Sequence, residues 1–125
     1  MSATRQELGR WAEDAAAAHL RAHGAQILHR NYRRRLGEID LVALSQGVLI
    51  IAEVRTRSSD AYGGAAASID GRKQRRIVRA AQQLLQQHPG YARLAVRFDA
   101  LIVSGAAAAP EVEWIRHAFE AGAAT

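Results

Sequence analysis

The stretch Gly37–Arg57, GEIDLVALSQGVLIIAEVRTR, decides the fold of this 125-residue chain. It predicts two strands, Glu38–Leu44 and Val48–Arg57, because both runs are rich in apolar and β-branched residues. The tripeptide Ser45–Gly47 separates them, and its glycine can take the positive φ that a tight turn needs. The stretch is therefore predicted to form a β-hairpin.

A two-residue turn determines which residues of this hairpin face each other. It places Asp40 opposite Glu53 and Glu38 opposite Arg55. Because side chains alternate between the faces of a sheet, all four are expected on one face, at the end away from the turn. A β-bulge would move one of the acids to the other face.

Two carboxylates that face each other across this hairpin need something to offset their repulsion. Cβ atoms of opposed residues lie about 5 Å apart, where two unit charges repel by roughly 3 kcal/mol at an effective dielectric constant of 20. A divalent cation, a neighbouring arginine or one protonated carboxyl group could each provide the offset. The structural alternative is an ion-pair cluster in which Arg55 serves Glu38 and Asp40.

Length and composition predict one domain over residues 1–125, with about 1–3 and 120–125 frayed. Hydrophobic residues make up 49% of the chain, enough for a substantial core. The longest uncharged run, Leu41–Ala52, is far short of the ~20 residues that span a bilayer. With no cysteine, the chain fits a reducing compartment. We expect a cytoplasmic protein without a membrane partner.

The charge of the chain points to a polyanionic partner. Its 17 basic and 12 acidic residues give a net charge of +5, and Lys73 is the one lysine. The arginines cluster at Arg33–Arg35, at Arg55 and Arg57, and at Arg72–Arg79. The coding bias of a GC-rich genome would explain arginine in place of lysine, but it does not explain the clustering.

The remaining elements complete an α/β sandwich around a mixed sheet. Helices are predicted over Thr4–His23 and Asp70–Gln87, and further strands over Ala25–Tyr32, Leu94–Ser104 and Val112–Phe119. Loops are expected over Ser58–Ile69, as a mobile segment beside the acids, and over Gly105–Pro110.

Both predicted helices carry charged residues that need an explanation. Glu13 lies at the edge of the apolar stripe of the first helix, where its carboxylate can lean over the sheet or extend to water. Five basic residues crowd the start of the second helix, although cations there oppose the helix dipole. They are Arg72, Lys73, Arg75, Arg76 and Arg79. Bound phosphate would explain them, and so would a solvated basic face.

Six short motifs, in this order, resemble those of the YraN-like family of small bacterial proteins. They are Gly9-x-x-x-Glu13-x-x-Ala16, Asn31-Tyr32-Arg33, Gly37-Glu38-Ile39-Asp40-Leu41, Glu53-Val54-Arg55-x-Arg57, Lys73-Gln74-Arg75 and Arg97-Phe98-Asp99. The resemblance covers Leu8 to Phe119, nearly the whole chain. That family is in turn similar to the PD-(D/E)XK nucleases, which include Holliday-junction resolvases.

The resemblance implies a restriction-endonuclease-like fold, a central mixed sheet with helices on both sides, and a metal-dependent site. Asp40 and Glu53 would hold Mg²⁺ or Mn²⁺, and Glu13 would be an outer ligand or orienting base. Arg55 occupies the place of the lysine that orients water in such enzymes. Since arginine stays protonated, it cannot act as a general base there. Lys73 could supply the missing lysine from the next helix.

These implications predict a Mg²⁺-dependent endonuclease acting on DNA, with branched or structured DNA as one candidate substrate. The catalytic residues expected are Glu13, Asp40, Glu53 and Arg55, and the residues expected to contact nucleic acid are Arg33, Arg34, Arg35, Arg57, Arg72, Lys73, Arg75 and Arg76. A homodimer is left open. The alternatives are a nucleic-acid-binding module that cuts poorly or not at all, and a basic subunit that meets an acidic protein.

Overall fold

The structure, a computed structural model, describes residues 4–57 and 69–122, which form two α-helices and five strands. In chain order these are α1 Arg5–Ala22, β1 Gln26–Arg34, β2 Gly37–Ser45, β3 Val48–Thr56, α2 Gly71–Gln87, β4 Ala95–Ala106 and β5 Ala109–Phe119, with a 3-10 turn at Pro89–Arg93 before β4. The predicted loop over Ser58–Ile69 lies outside the described residues except for Ile69. Of the ends predicted to be frayed, 1–3 and 120–125, the residues 1–3 and 123–125 also lie outside them.

The five strands form one sheet in the order β1-β2-β3-β4-β5. Strands β3 and β4 are parallel and the other neighbours are antiparallel, so the sheet is mixed, as predicted. Helix α2 lies between β3 and β4 in the chain and belongs to the crossover connection that two parallel strands require. This architecture confirms the α/β sandwich of the restriction-endonuclease-like type.

The two helices cover opposite faces of the sheet. Ala12, Ala16, Ala17 and Leu20 of α1 pack in a core with Leu41, Ala43, Ile50, Ala52, Leu101 and Val103. Ile77, Ala80, Ala81 and Leu84 of α2 pack in a second core with Ile39, Val42, Leu49, Ile51, Ala100 and Ile102. Small residues on both helices allow their backbones to approach the sheet closely. In the part of the chain that the structure describes, no helix is long and apolar enough to cross a membrane.

The hairpin register is the one that the sequence predicts. Ser45 pairs with Val48, and the ladder continues to the pair Leu41–Ala52. Gln46 and Gly47 form the turn, with φ of 50° and 77°. Two consecutive positive φ angles are typical of the type I′ turn that matches the twist of a hairpin.

The loop predicted over Gly105–Pro110 is wrong. Gly105 pairs with Pro110, and Ala106 pairs with Ala109 across a two-residue turn, so β4 and β5 form a long hairpin. Alanines and prolines carry little strand signal, but alanine has both backbone ladder groups and proline keeps its carbonyl acceptor. The positive φ of Gly105, 89°, lies at the end of this hairpin.

Asp99 fastens the edge strand β5 to β4. Its carboxylate is fully buried and accepts hydrogen bonds from Arg97, from the Trp114 indole at 2.8 Å and from the His117 backbone at 3.0 Å. Burial by itself would raise the pKa of Asp99, but the bonds from Arg97, His117 and Trp114 outweigh it and lower that pKa. The Arg97-Phe98-Asp99 motif is thus structural.

Candidate active site

A cavity of about 400 Å³ lies at the open end of the β2–β3 hairpin, between the two helices. Its charged lining residues come from α1, β2, β3 and α2, and they are Arg5, Glu13, Asp40, Glu53, Arg55 and Lys73. Three carboxylates and three cations therefore face one space. All four residues predicted to be catalytic lie in this lining.

Asp40 lies where the backbone pairing of β2 with β3 ends. The last paired residues are Leu41 and Ala52, and beyond them the Asp40 carboxylate itself accepts the Val54 N–H at 2.9 Å. A side-chain oxygen thus replaces a main-chain acceptor. This bond holds the Asp40 carboxylate between the two strands, beside Glu53.

The alternation of β2 changes at Asp40, and Asn31 of β1 explains why. Ile39 packs in the core under α2, whereas Leu41 packs in the core under α1. Asn31 has a positive φ of 54° and stands between the pairs Arg30–Leu41 and Tyr32–Ile39, opposite Asp40. Asparagine tolerates this left-handed conformation better than most residues. The kink turns Asp40 toward α1.

Glu53 is buried, with 4% of its surface exposed, and its carboxyl group contacts that of Asp40. Burial, a hydrogen bond with Asp40 and the charge of Asp40 raise the pKa of Glu53 to about 9, while Lys73 and Arg55 act in the opposite direction. The pair thus holds a proton at neutral pH when no other cation is bound, which is one of the three offsets expected from the sequence.

Glu13 leans from α1 toward the sheet, which is one of the two orientations that the sequence left open. Its side chain is 17% exposed and lies 3.7 Å from Arg30, and its carboxylate accepts a hydrogen bond from Asn31 at 2.8 Å. Burial and the charge of Asp40 raise the pKa of Glu13. Asn31 therefore both bends β1, as its residue type predicts, and orients Glu13, a contact that was not predicted from the sequence.

The donor set fits a hard divalent cation held by few protein ligands. Within residues 4–57 and 69–122, no three acidic, histidine or cysteine side chains converge closely enough to hold an ion. Asp40 and Glu53 together offer two, with Glu13 further out. Mg²⁺ is commonly bound by one or two carboxylates, with water and substrate phosphate completing its shell. A raised Glu53 pKa indicates a site where added positive charge is favourable.

Glu38, which was predicted to share a face with the acids, forms an ion pair with Arg33 at 3.8 Å and is not among the residues that line the cavity. The ion-pair cluster is also absent: among the described residues, no hydrogen bond or ion pair joins Arg55 to Glu38 or Asp40, and Arg55 Nε is buried without a hydrogen-bond partner.

Lys73 reaches the acids from the first turns of α2. Its Nζ atom lies 4.0 Å from a Glu53 carboxylate oxygen, and its side chain is 29% exposed. The backbone N–H of the same residue donates to the Asp70 cap at 2.9 Å, which fixes the start of the helix. The one lysine of the chain therefore lies beside the Asp40–Glu53 carboxylate pair.

Comparison with known proteins places this arrangement in a family. The model of the family described as "Uncharacterised protein family UPF0102" matches residues 12–103, which include all the acids of the cavity. The chain belongs to the UPF0102 family. It is 51% identical over 113 residues to a UPF0102 protein of Frankia casuarinae, covering 90% of this chain and 95% of the relative. It is 46% identical over 114 residues to one of Halorhodospira halophila, covering 91% and 88%.

In this UPF0102 chain, basic residues of α2 form a cleft of about 350 Å³ beside the carboxylates. Arg72, Arg76, Lys73 and Arg55 line it together with Asp70. Among the described residues, no side-chain hydrogen bond or ion pair is formed by Arg72 or Arg76. These two guanidinium groups stand next to the carboxylate cavity, whereas Arg75 is engaged within the protein.

The other arginines predicted to contact nucleic acid are dispersed in this UPF0102 structure. Arg33 lines a second cavity on the α1 side, while Arg34 lies 3.9 Å over the Tyr32 ring and donates to Gln87. Arg35 is exposed in the β1–β2 turn. Arg57 forms an ion pair with Glu113 of β5 at 3.4 Å. Alternation along β1 sends neighbouring side chains to opposite faces, so the tract does not form one surface.

Proposed function

We propose that this protein is a DNA endonuclease that depends on Mg²⁺ or Mn²⁺. The observation that carries this proposal is the contact between the Asp40 and Glu53 carboxyl groups, in a cavity that also contains Glu13. Arg72 and Arg76, which have no side-chain partner within residues 4–57 and 69–122, line the neighbouring cleft. Two acids in contact have a high electrostatic cost, and phosphodiester hydrolysis is a reaction that uses such a pair with a divalent ion.

Asp40 and Glu53 would hold the metal, which when bound stabilises negative charge on the phosphoryl group and makes a bound water more acidic. The protein's contribution is orientation. The Val54 N–H fixes one oxygen of Asp40, and Asn31 fixes one oxygen of Glu13. Glu13, with its raised pKa, stands where a carboxylate can accept a proton from an attacking water.

Lys73 and Arg55 share the role of the single lysine in the nuclease motif. Lys73, 4.0 Å from Glu53, provides an ammonium group that can hydrogen-bond the attacking water or a scissile phosphate oxygen. Arg55, which stays protonated at any working pH, contributes a fixed positive charge for the phosphate. Its buried Nε atom without a partner is a donor available for such an acceptor.

DNA is the proposed substrate because the basic residues beside the site favour a phosphate backbone. A preference for branched DNA rests on the likeness to Holliday-junction resolvases alone. A cytoplasmic location goes with this proposal. Dimerisation, which two-fold symmetric junction cleavage would need, is part of the same hypothesis.

The test is single-turnover cleavage of labelled linear duplex and four-way-junction DNA with Mg²⁺ or Mn²⁺. We expect metal-dependent product from the wild type and none from Glu53→Ala, because the substitution removes a metal ligand. Glu111→Ala, at an exposed carboxylate of β5, is the matched control and should cleave normally. Absence of metal-dependent product from both the wild type and Arg55→Lys would contradict the proposal.

A non-catalytic nucleic-acid-binding module is the second candidate, favoured by Arg55 in the place of the lysine. Such a protein would bind DNA with an affinity that falls steeply as salt is added, since phosphate contacts release counterions, but it would give no product. A basic subunit for an acidic protein would show neither product nor salt-sensitive DNA binding. The same DNA probes therefore separate all three functions.

A further inference from the structure

Gly9 of α1 is a glycine that the described residues do not explain. The residue is exposed within a regular helix, and its φ is not positive. Among residues 4–57 and 69–122, a Cβ atom built there would meet nothing within 4 Å. Glycine lowers helix stability relative to alanine, so neither backbone conformation nor packing within these residues accounts for it.

Two cavities meet at this glycine. The cavity with the carboxylates, about 400 Å³, and a second one of about 520 Å³ share Gly9 and Glu13 in their linings. The second cavity is lined by Arg10, Arg30 and Arg33, together with Glu13 and Asp14, which form ion pairs with Arg30. The bare helix backbone at Gly9 therefore lies between the cavity of the Asp40–Glu53 pair and a cavity with three arginines.

The neighbours of Gly9 in α1 have the chemistry of a nucleotide contact. Leu8, on the carboxylate side, is an exposed large apolar residue, with 41% of its surface accessible. Arg10, on the basic side, has no hydrogen-bond or ion-pair partner among the described residues. An apolar surface, a bare backbone and a free guanidinium thus follow one another along the helix.

We propose that the DNA strand carrying the scissile phosphate passes over Gly9, from the carboxylate cavity to the arginine cavity. The sugar lies against the helix backbone at Gly9, an adjoining base or sugar against Leu8, and the next phosphate at Arg10. Only glycine leaves the room that this close approach requires. The inference rests on the proposed function and adds the path that the substrate takes through the site.

The test replaces Gly9 by alanine and by leucine and measures stability, DNA affinity and cleavage separately. Gly9→Ala should raise Tm by about 2–4 °C, because alanine is the better helix former and meets no steric obstacle. Affinity for labelled four-way-junction DNA in metal-free buffer should fall by about threefold with alanine and by about tenfold or more with leucine. Single-turnover cleavage in Mn²⁺ should fall in the same order.

Ala18→Leu, at an exposed position of the same helix, is the matched control and should leave binding and cleavage unchanged. Gly9→Ala and Gly9→Leu proteins that bind and cleave like the wild type would overturn the path while leaving the nuclease intact. A Gly9→Ala protein less stable than the wild type would also overturn it, because the fold itself would then require the glycine. If the wild type binds DNA but does not cleave it, the proposed path over Gly9 stands and the proposed nuclease activity is excluded.

Discussion

Glu53 carries the largest electrostatic conflict in the described residues. It is buried beside Asp40, and its pKa rises to about 9 because of burial first and the neighbouring carboxyl group second. The unfolded chain ionises this group near its ordinary value of 4.5. The folded protein therefore binds more protons than the unfolded chain between these two pH values, and its stability falls as the pH rises through that window.

We expect Glu53→Gln to stabilise the metal-free protein, and to do so increasingly from pH 5 to pH 8. The amide keeps the hydrogen-bonding shape and needs no proton, so the gain at pH 8 should be on the order of 2 kcal/mol larger than at pH 5. Urea unfolding in EDTA at several pH values measures it. Glu111→Gln, at an exposed carboxylate, is the control, and a Glu53→Gln gain that is equal at both pH values would contradict the prediction.

The roles of Lys73 and Arg55 in cleavage can be tested by moving the lysine from position 73 to position 55. Lys73→Ala should slow single-turnover cleavage at least tenfold, which corresponds to about 1.4 kcal/mol of barrier, because the substitution removes the ammonium group beside Glu53. Adding Arg55→Lys should restore much of the rate by returning a lysine to β3. Arg55→Lys alone should cleave faster than the wild type.

Binding of Mn²⁺, measured by calorimetry, separates the lysine's role from damage to the metal site. Lys73→Ala should bind Mn²⁺ at least as tightly as the wild type, since removing a cation beside Glu53 reduces the repulsion of the metal. Arg79→Ala, six residues and nearly two turns further along α2 and outside the cavity, is the control. Unchanged cleavage by Lys73→Ala would exclude the lysine from the reaction.

At the scale of the element, the N-terminal turns of α2 combine a cap with a basic cleft. Asp70 accepts the Lys73 N–H, which stabilises the helix end although cations crowd it. Arg72, Arg76 and Arg55 stand around the same end and leave a cleft open to solvent. The arrangement concentrates positive charge next to the carboxylates: Lys73 forms an ion pair with Glu53, whereas no ion pair within the described residues neutralises Arg72, Arg76 or Arg55.

Replacing Arg72 and Arg76 by alanine should weaken DNA binding and flatten its dependence on salt. Each DNA phosphate that the protein no longer neutralises lowers the slope of log affinity against log salt by about 0.9, so the slope of the double variant should be shallower by about 1.8. The control removes two arginines elsewhere, Arg93 and Arg116, which do not line the cleft. If both double variants show the slope of the wild type, α2 is not a phosphate-binding element.

At the scale of the whole molecule, Gly37 sets the distance between the hairpin and α2. A Cβ atom at Gly37 would lie 1.8 Å from the backbone oxygen of Arg76, so the helix backbone rests directly on the start of β2. The same contact positions the first turns of α2, and with them Lys73, against Glu53. Global packing thus determines whether the lysine reaches the acids.

We expect Gly37→Ala to destabilise the protein by at least about 2 kcal/mol, because neither backbone can move without disturbing the core under α2. Urea unfolding measures the change. Gly90→Ala is the matched control, since a Cβ atom there meets nothing within 4 Å and its φ is not positive. A Gly37→Ala protein as stable as the wild type would show that α2 can shift away from β2.

The sequence by itself determined the local elements and the register of the hairpin. The Gln46–Gly47 turn, the alternating strands and the Asp70 cap are encoded by neighbours in the chain, and the structure has all of them. The contact between Asp40 and Glu53 followed from that register. Two strands that are joined by a tight turn pair through local structure, so their register does not depend on the rest of the fold.

Only the tertiary structure decided what surrounds the acids. Asn31 kinks β1 beside Asp40 and binds Glu13, Lys73 reaches Glu53 from α2, and Gly9 lines two cavities. None of Asn31, Lys73 and Gly9 is within eight positions of Asp40 or Glu53 along the chain. Their places depend on how helices pack on the two faces of the sheet, which is a property of the whole core, because side chains distant in sequence meet only when that core forms.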